Sequence, residues 1–285
     1  MKGLLVVGMA ALLLAACGGS SSGSDSDEEP VATLDPDVPP VASGVWYRPA
    51  LESTWQWQLQ GTLNTGYLVD IYDIDLEDTA AGTITDLQSA GKKVICYFSA
   101  GSYEAWRADA DQFAAQDLGN TLDGWPDERW LDIRSDAVFQ IMLARLDLAV
   151  SKGCDGVEPD NVDGYANGSG FALAADDQLA YNRMLANAAH ERGLAVALKN
   201  DVDQVVGLVD YYDFTVNEEC MQYDECTLLA PFVEQGKPVL HVEYADSYVN
   251  SASARAALCS ATGAMSFSTL VLPLDLDDSF RYSCL

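Results

Sequence analysis

From Thr54 onward, apolar and polar positions alternate between two periods. Trp55 to Gln60 switches between large apolar and polar side chains at every step, the period of a half-buried strand. Tyr67–Tyr72, Lys93–Ser99, Cys154–Glu158, Leu194–Lys199, Tyr212–Asn217, Pro238–Glu243 and Ala264–Leu272 are short, mostly apolar runs that predict seven more strands. Between them, Thr83–Ala90, Asp136–Lys152, Asp177–Arg192, Thr227–Gln235 and Ser251–Thr262 carry apolar residues at helical spacing. Gly91, Gly153, Gly193 and Gly236 stand where the first four of these should stop. Eight strands in alternation with helices predict a (β/α)8 TIM barrel, since a strand buried on both faces belongs to a parallel sheet. No Gly-x-Gly-x-x-Gly follows the first strand, which argues against a dinucleotide-binding sheet. Ser102–Arg134 falls outside the pattern and carries Trp106, Trp125 and Trp130, as expected of a functional insert.

The N-terminus follows other rules. Leu4–Leu14 is apolar but too short to cross a bilayer, and reads as the hydrophobic part of a signal peptide spanning residues 1–16. Leu14-Ala15-Ala16-Cys17-Gly18 resembles a bacterial lipobox, which implies cleavage before Cys17 and lipid on its sulfur. Residues 17–43 are rich in Ser, Gly, Asp and Pro and are expected to form a disordered tether, leaving 44–285 as the barrel. The expected location is the cell envelope, anchored to a bacterial membrane and facing the periplasm or the surface. Setting Cys17 aside leaves six cysteines, an even number suited to disulfides in an exported protein. Cys220 with Cys226 and Cys259 with Cys284 are candidate pairs; Cys96 and Cys154 lie in apolar runs and read equally well as buried thiols. With no Cys-x-x-Cys spacing and only His190 and His241, neither a zinc site nor any other metal or cofactor is expected.

The chain has 44 acidic against 15 basic residues, a formal charge of -29. That excludes nucleic acid as a partner, because phosphate contacts need Lys and Arg. It suits a cationic ligand, or solubility in a salty medium. A monomer is the expected state.

Barrel enzymes carry their chemistry at the C-terminal strand ends. Read there, the sequence offers Asp70 and Asp73, Tyr97 and Ser99, Glu158 and Asp160, Lys199 and Asn200, Glu218 and Glu219, then Glu243 and Asp246. Asp163 and Tyr165 follow in the Gly153–Tyr165 stretch, which is dense in acids and turn-formers. Gly-x-Ser-x-Gly is absent and neither His has a matching Ser motif, so a nucleophilic triad does not fit. Glycoside hydrolysis needs only two carboxylates and favours aromatic platforms, for which Trp46, Tyr47, Trp106, Trp125, Trp130, Tyr165 and Tyr223 are candidates.

Trp46-Tyr47, Cys96–Tyr103, Gly156–Tyr165, Leu198–Asn200 and Asn217–Cys226 together resemble the endo-α-1,4-polygalactosaminidases, glycoside hydrolase family 114, from about Gly44 to about Leu272. The resemblance implies a (β/α)8 barrel that cleaves α-1,4-linked galactosamine chains internally. Its two catalytic carboxylates follow the fourth and sixth strands, which here match Asp160 and Glu218. Asp160 is assigned as nucleophile and Glu218 as acid/base, with Glu158 and Glu219 as rivals. Lys199 is expected to hold Asp160 ionised. Glu158, Asp163, Tyr97, Lys199, Asn200, Glu219, Glu243, Tyr165, Asp70 and Trp46 are the expected substrate-binding set. Pro159 departs from the family pattern, fixes φ at its position and bears on the aim of Asp160. The alternative function is a polysaccharide-binding lipoprotein on the same barrel that does not cleave its ligand.

Overall fold

The computed structural model describes residues 34–285; the expected signal peptide, Cys17 and the first part of the expected tether lie outside the described residues. In chain order the strands are β1 (Trp55–Gln58), β2 (Ile71–Asp75), β3 (Lys93–Ser99), β4 (Ser102–Glu104), β5 (Leu118–Leu122), β6 (Trp125–Leu131), β7 (Gly156–Asp160), β8 (Ala195–Lys199), β9 (Phe214–Glu218), β10 (Val239–Glu243), β11 (Ser268–Val271) and β12 (Tyr282–Ser283). The helices are α1 (Ala81–Ser89), α2 (Asp136–Lys152), α3 (Ala175–Glu191), α4 (Val205–Leu208), α5 (Ala230–Glu234), α6 (Asp246–Asn250) and α7 (Ala252–Ala264).

Eight strands pair in parallel in the order β1-β2-β3-β7-β8-β9-β10-β11, and β12 adds antiparallel to β11. The sheet curls toward closure. Its edges approach each other: Trp55 Nε1 on β1 donates to the Ser268 carbonyl on β11 at 2.8 Å. The C-terminal segment bridges the same seam, with Arg281 donating to the Trp55 carbonyl and to Gln56, and Leu59 N bonding the Leu276 carbonyl. No backbone ladder joins β1 to β11 among the described residues. The eight expected strands are present, but β1 reaches β2 without a helix, unlike the regular βα repeat.

Strand parity sorts the side chains into two layers. Trp55, Trp57, Ile71, Ile95, Ala195, Ala197, Phe214, Val216, Leu240 and Val242 share the interior cluster. Tyr72, Ile74, Val94, Cys96, Phe98, Val157, Val196, Leu198 and Val239 join the layer beneath the helices, against Leu87, Met142, Leu146 and Leu185. On β7 the interior parity falls to Gly156, Glu158 and Asp160. A Cβ at Gly156 would stand 2.8 Å from Ala195 Cβ and 2.8 Å from Ile95 Cδ1, so only glycine fits the lowest of these positions.

Several boundaries differ from expectation; the fourth strand is Gly156–Asp160 rather than Cys154–Glu158, and the eighth starts at Ser268 rather than Ala264, since α7 continues to Ala264. The second strand begins at Ile71 rather than Tyr67, four residues late: after the turn at Thr65-Gly66, the backbone N–H and carbonyl of Tyr67 bond the Tyr72 hydroxyl instead of a neighbouring strand. The tether, expected to be disordered to residue 43, is held from Pro36 onward. Arg183 binds the Pro36 carbonyl, Tyr211 the Val38 carbonyl, and Asn187 both the Pro39 carbonyl and Val41 N. The insert forms a three-stranded antiparallel sheet, β4-β6-β5, beside the strand ends. All six remaining cysteines pair: Cys96–Cys154, Cys220–Cys226 and Cys259–Cys284. The first pair removes the free-thiol reading of Cys96 and Cys154; adjacent strands β3 and β7 bring the two together.

Candidate active site

A cleft of about 1090 Å³ opens at the C-terminal strand ends, bounded on one side by the insert and on the other by the loops after β8, β9 and β11. Asp160, Lys199 and Glu218 end three consecutive strands and share the interior parity, so the fold delivers all three to one place. The next residue in each case, Asn161, Asn200 and Glu219, takes a left-handed φ of 59°, 49° and 58°. This conformation is costly outside glycine, and it turns the chain sharply so that the last strand side chain keeps its aim into the cleft.

Lys199 is the hub. Its Nζ lies 2.9 Å from Asp160 Oδ1, 3.2 Å from Glu218 Oε2 and 3.5 Å from Glu158 Oε1, and 4.8 Å above the Trp57 ring. Burial works against its charge, but Asp160, Glu218 and Glu158 together outweigh burial and hold the ammonium well above its ordinary range. Asp160 accepts additionally from the Tyr97 hydroxyl at 3.0 Å and from Asn161 N at 2.8 Å. Glu218 accepts from the Tyr244 hydroxyl at 2.5 Å and from Asn200 Nδ2 at 3.0 Å. Burial, then the neighbouring carboxylates, push the Tyr97 and Tyr244 hydroxyls well above the phenol range, so both stay donors. One ammonium touching both carboxylates bounds their separation. Asp160 Oδ1 and Glu218 Oε2 lie no farther apart than the sum of the two contacts, about 6 Å, with open cleft beside them.

Beneath this layer sit Asp73 on β2 and Glu158, both wholly buried, and neither carboxylate has a hydrogen-bond donor. Burial pushes Asp73 up to about 7 and Glu158 well above the usual carboxylate range, each raised further by carboxylate neighbours. Two such groups cannot both be ionised cheaply. On the insert side, Arg107 clamps Asp75 and Glu104 with contacts of 2.7 to 3.0 Å. On the opposite wall, burial lifts Asp163 to about 6 and Asp201 to about 8.

Of the expected binding set, Tyr97, Asp163, Tyr165, Lys199, Asn200 and Glu219 line the cleft with Asp160 and Glu218. Four do not. Asp70 precedes β2 and bonds Thr54 at the opposite end of the sheet, a consequence of the late strand start. Trp46 stacks on His190 at 4.1 Å and donates to Asp213, which precedes β9 and so also lies at the N-terminal strand ends. Glu243 shares parity with Val239, faces the outer layer and bonds His241 and Met221 N. Glu158, the rival nucleophile, is sealed below Lys199. Asp246 starts α6, beyond the end of β10. Pro159 lies beyond the last β7–β8 rung at Val157, and the Asp160 carbonyl accepts from Ala100 N and Gly101 N, so the aim of β7 is held despite the proline. Sequence reasoning missed Tyr244, Trp57 and Asn161. Tyr244 sits directly after the seventh strand, where the rule of strand ends applied to it as well as to Glu243.

A curled parallel sheet that brings two carboxylates together at an open C-terminal cleft is an arrangement that glycoside hydrolysis can use. Residues 36–285 match glycoside-hydrolase family GH114, and the chain belongs to that family as a glycoside hydrolase. It is similar to Aspergillus fumigatus Ega3, solved in complex with galactosamine, at 45% identity over 86% of this chain and 100% of that one, with a TM-score of 0.81. The glycoside hydrolase domain of PelA from Pseudomonas aeruginosa shares the fold at 15% identity, a TM-score of 0.61, and coverage of 81% and 98%. A functionally uncharacterized Deinococcus radiodurans protein is 27% identical over 280 residues, covering 86% of this chain and 90% of its own.

Proposed function

We propose that this protein is an exported, lipid-anchored hydrolase that cleaves α-1,4-linked galactosamine-containing polysaccharide internally, on a (β/α)8 barrel, with retention of configuration. The observation that carries the reading is the pairing of Asp160 and Glu218 across Lys199 in an open cleft. The likeness to Ega3, a galactosamine-binding relative, supports the substrate class, and so does the acidic cleft wall of Asp163, Asp201, Asp203 and Glu225. Three disulfides suit an oxidising compartment outside the cytosol, in keeping with the lipobox-like Leu14–Gly18.

Asp160, ringed by Lys199, Tyr97 and Asn161 N, attacks the anomeric carbon. Glu218, the more open of the two with its side chain 27% exposed, gives its proton to the departing glycosidic oxygen. The covalent glycosyl ester on Asp160 is then hydrolysed by a water that loses its proton to Glu218, which restores both groups. The bound of about 6 Å between the facing oxygens is compatible with the roughly 5–5.5 Å spacing of a retaining pair. Incubation with partly deacetylated galactosaminan, followed by NMR of the first anomer released, tests this. The reading expects shortened chains with an α reducing end. A β anomer would refute retention, and intact polymer would refute the hydrolase.

A further inference from the structure

Glu128 lies on β6 in the insert, is 7% exposed, and makes one side-chain hydrogen bond, accepting from Ser102 Oγ at 2.7 Å. That bond is the end of a chain. Ser99 Oγ lies 2.6 Å from Ser102 Oγ, and Asn161 Nδ2 donates to Ser99 Oγ at 3.0 Å. Ser99 Oγ also accepts from Ser102 N at 3.0 Å. Both lone pairs of that hydroxyl are then used, so its proton goes to Ser102, and the Ser102 proton goes to Glu128. Asn161 Nδ2 also reaches Ser102 Oγ at 3.3 Å, and with that bond included this order satisfies every atom and requires an acceptor at the far end. Asn161 in turn gives its backbone N–H to Asp160 Oδ1 at 2.8 Å while holding a left-handed φ of 59°. A Cβ on Gly101 would fall 1.7 Å from the Asn161 carbonyl oxygen, so the turn is also wedged against the strand that leads into the insert.

We propose that Glu128 is a positioning residue for hydrolysis, an anchor in the insert that fixes the aim of Asp160 through Ser102, Ser99 and Asn161. The inference rests on Asp160 as the nucleophile. An ionised Glu128 can only accept, which locks the chain in the order above. A protonated Glu128 can donate to Ser102 instead, reverse the hydroxyls and compete with Asn161 for Ser99. From β4 it faces Glu104, from the turn beyond it Arg107, from β7 Asp160, and from β3 Tyr97. Arg107 is already engaged by Asp75 and Glu104. Burial first, then the charges of Glu104 and Asp160, raise Glu128 to about 7, so the locked order is gained as pH rises through neutrality.

The test compares kcat and KM on partly deacetylated galactosaminan from about pH 5.5 to 8.5 for wild type, Glu128→Gln and Ser102→Ala. Wild-type kcat should rise through an inflection near neutrality. Glu128→Gln, with an amide that does not titrate, should lose the inflection and about tenfold in kcat, with KM within about twofold. Ser102→Ala breaks the chain and leaves the charge in place; it should show the same two losses. A neutral inflection and wild-type kcat retained in both variants would overturn the positioning role. A wild type that cleaves nothing would instead overturn the hydrolase reading itself.

Discussion

Lys199 Nζ sits 2.9 Å from Asp160 Oδ1, from a position that is 2% exposed. A buried cation with no bulk water must be matched by anions, and here the same anions are the reacting groups. Replacing it by methionine keeps the volume and leaves Asp160, Glu218 and Glu158 facing each other without a counter-charge. Lys199→Met should lose at least about a hundredfold in kcat with the fold intact by circular dichroism. A kcat within about threefold of wild type would show that the lysine is incidental.

The Asp73–Glu158 pair gives the protein a pH signature. A carboxyl whose folded pKa is raised takes up a proton on folding, so its burial is tolerated below the unfolded pKa and destabilises as pH rises toward the folded value. For Asp73 the window runs from about 4 to about 7. Asp73→Asn removes the titration and supplies an amide donor to Glu158. Its melting temperature should match wild type at pH 4 and exceed it at pH 8. Equal melting curves at both pH values would count against a raised Asp73 carboxyl.

Trp125 and Tyr223 stand on opposite walls of the cleft, 42% and 64% exposed. Tyr223 is presented by the short loop that Cys220–Cys226 closes directly after Glu218. Aromatic faces exposed along a cleft suit sugar rings beyond the cleavage point. Trp125→Ala and Tyr223→Ala should each raise KM for long polymer about two- to tenfold, with kcat little changed. Parallel losses of kcat on the shortest cleavable oligomer would mean that they act at the reacting ring instead.

The three disulfides close loops of different length, so removing them should cost unequal amounts. Separations of 58, 25 and 6 residues give chain-entropy contributions of about 4, 3.5 and 2 kcal/mol for Cys96–Cys154, Cys259–Cys284 and Cys220–Cys226. Paired serine substitutions should lower the unfolding midpoint in that order, measured by denaturant titration under oxidising conditions. The reverse order would show that native-state packing, not loop closure, sets their contributions.

The periodicity of the sequence announces eight strands, and Lys93–Ser99 and Asp136–Lys152 appear where the pattern puts them. Lys199 was legible because it ends an apolar run, whereas Asp160 and Glu218 stood among several acids near strand ends and were singled out by the family resemblance. Parity was harder to read. Glu243 ends a strand just as Glu218 does, but a one-residue offset turns it to the outer layer, and only the register against β9 fixes that offset. Asp70 failed for a related reason: Tyr67–Tyr72 is a mostly apolar run that reads as a strand, while the Tyr72 hydroxyl takes the Tyr67 backbone groups and pairing starts only at Ile71. Trp46 carries no periodic signal at all, and its stacking on His190 depends on where the held segment near residues 36–48 lies against α3.

Hydrolysis of partly deacetylated galactosaminan by wild type, Asp160→Asn and Glu218→Gln, each checked for native fold, tests the central claim most directly. The account predicts cleavage by wild type and a loss of at least about a thousandfold in both variants. Cleavage by either variant at close to the wild-type rate would contradict it.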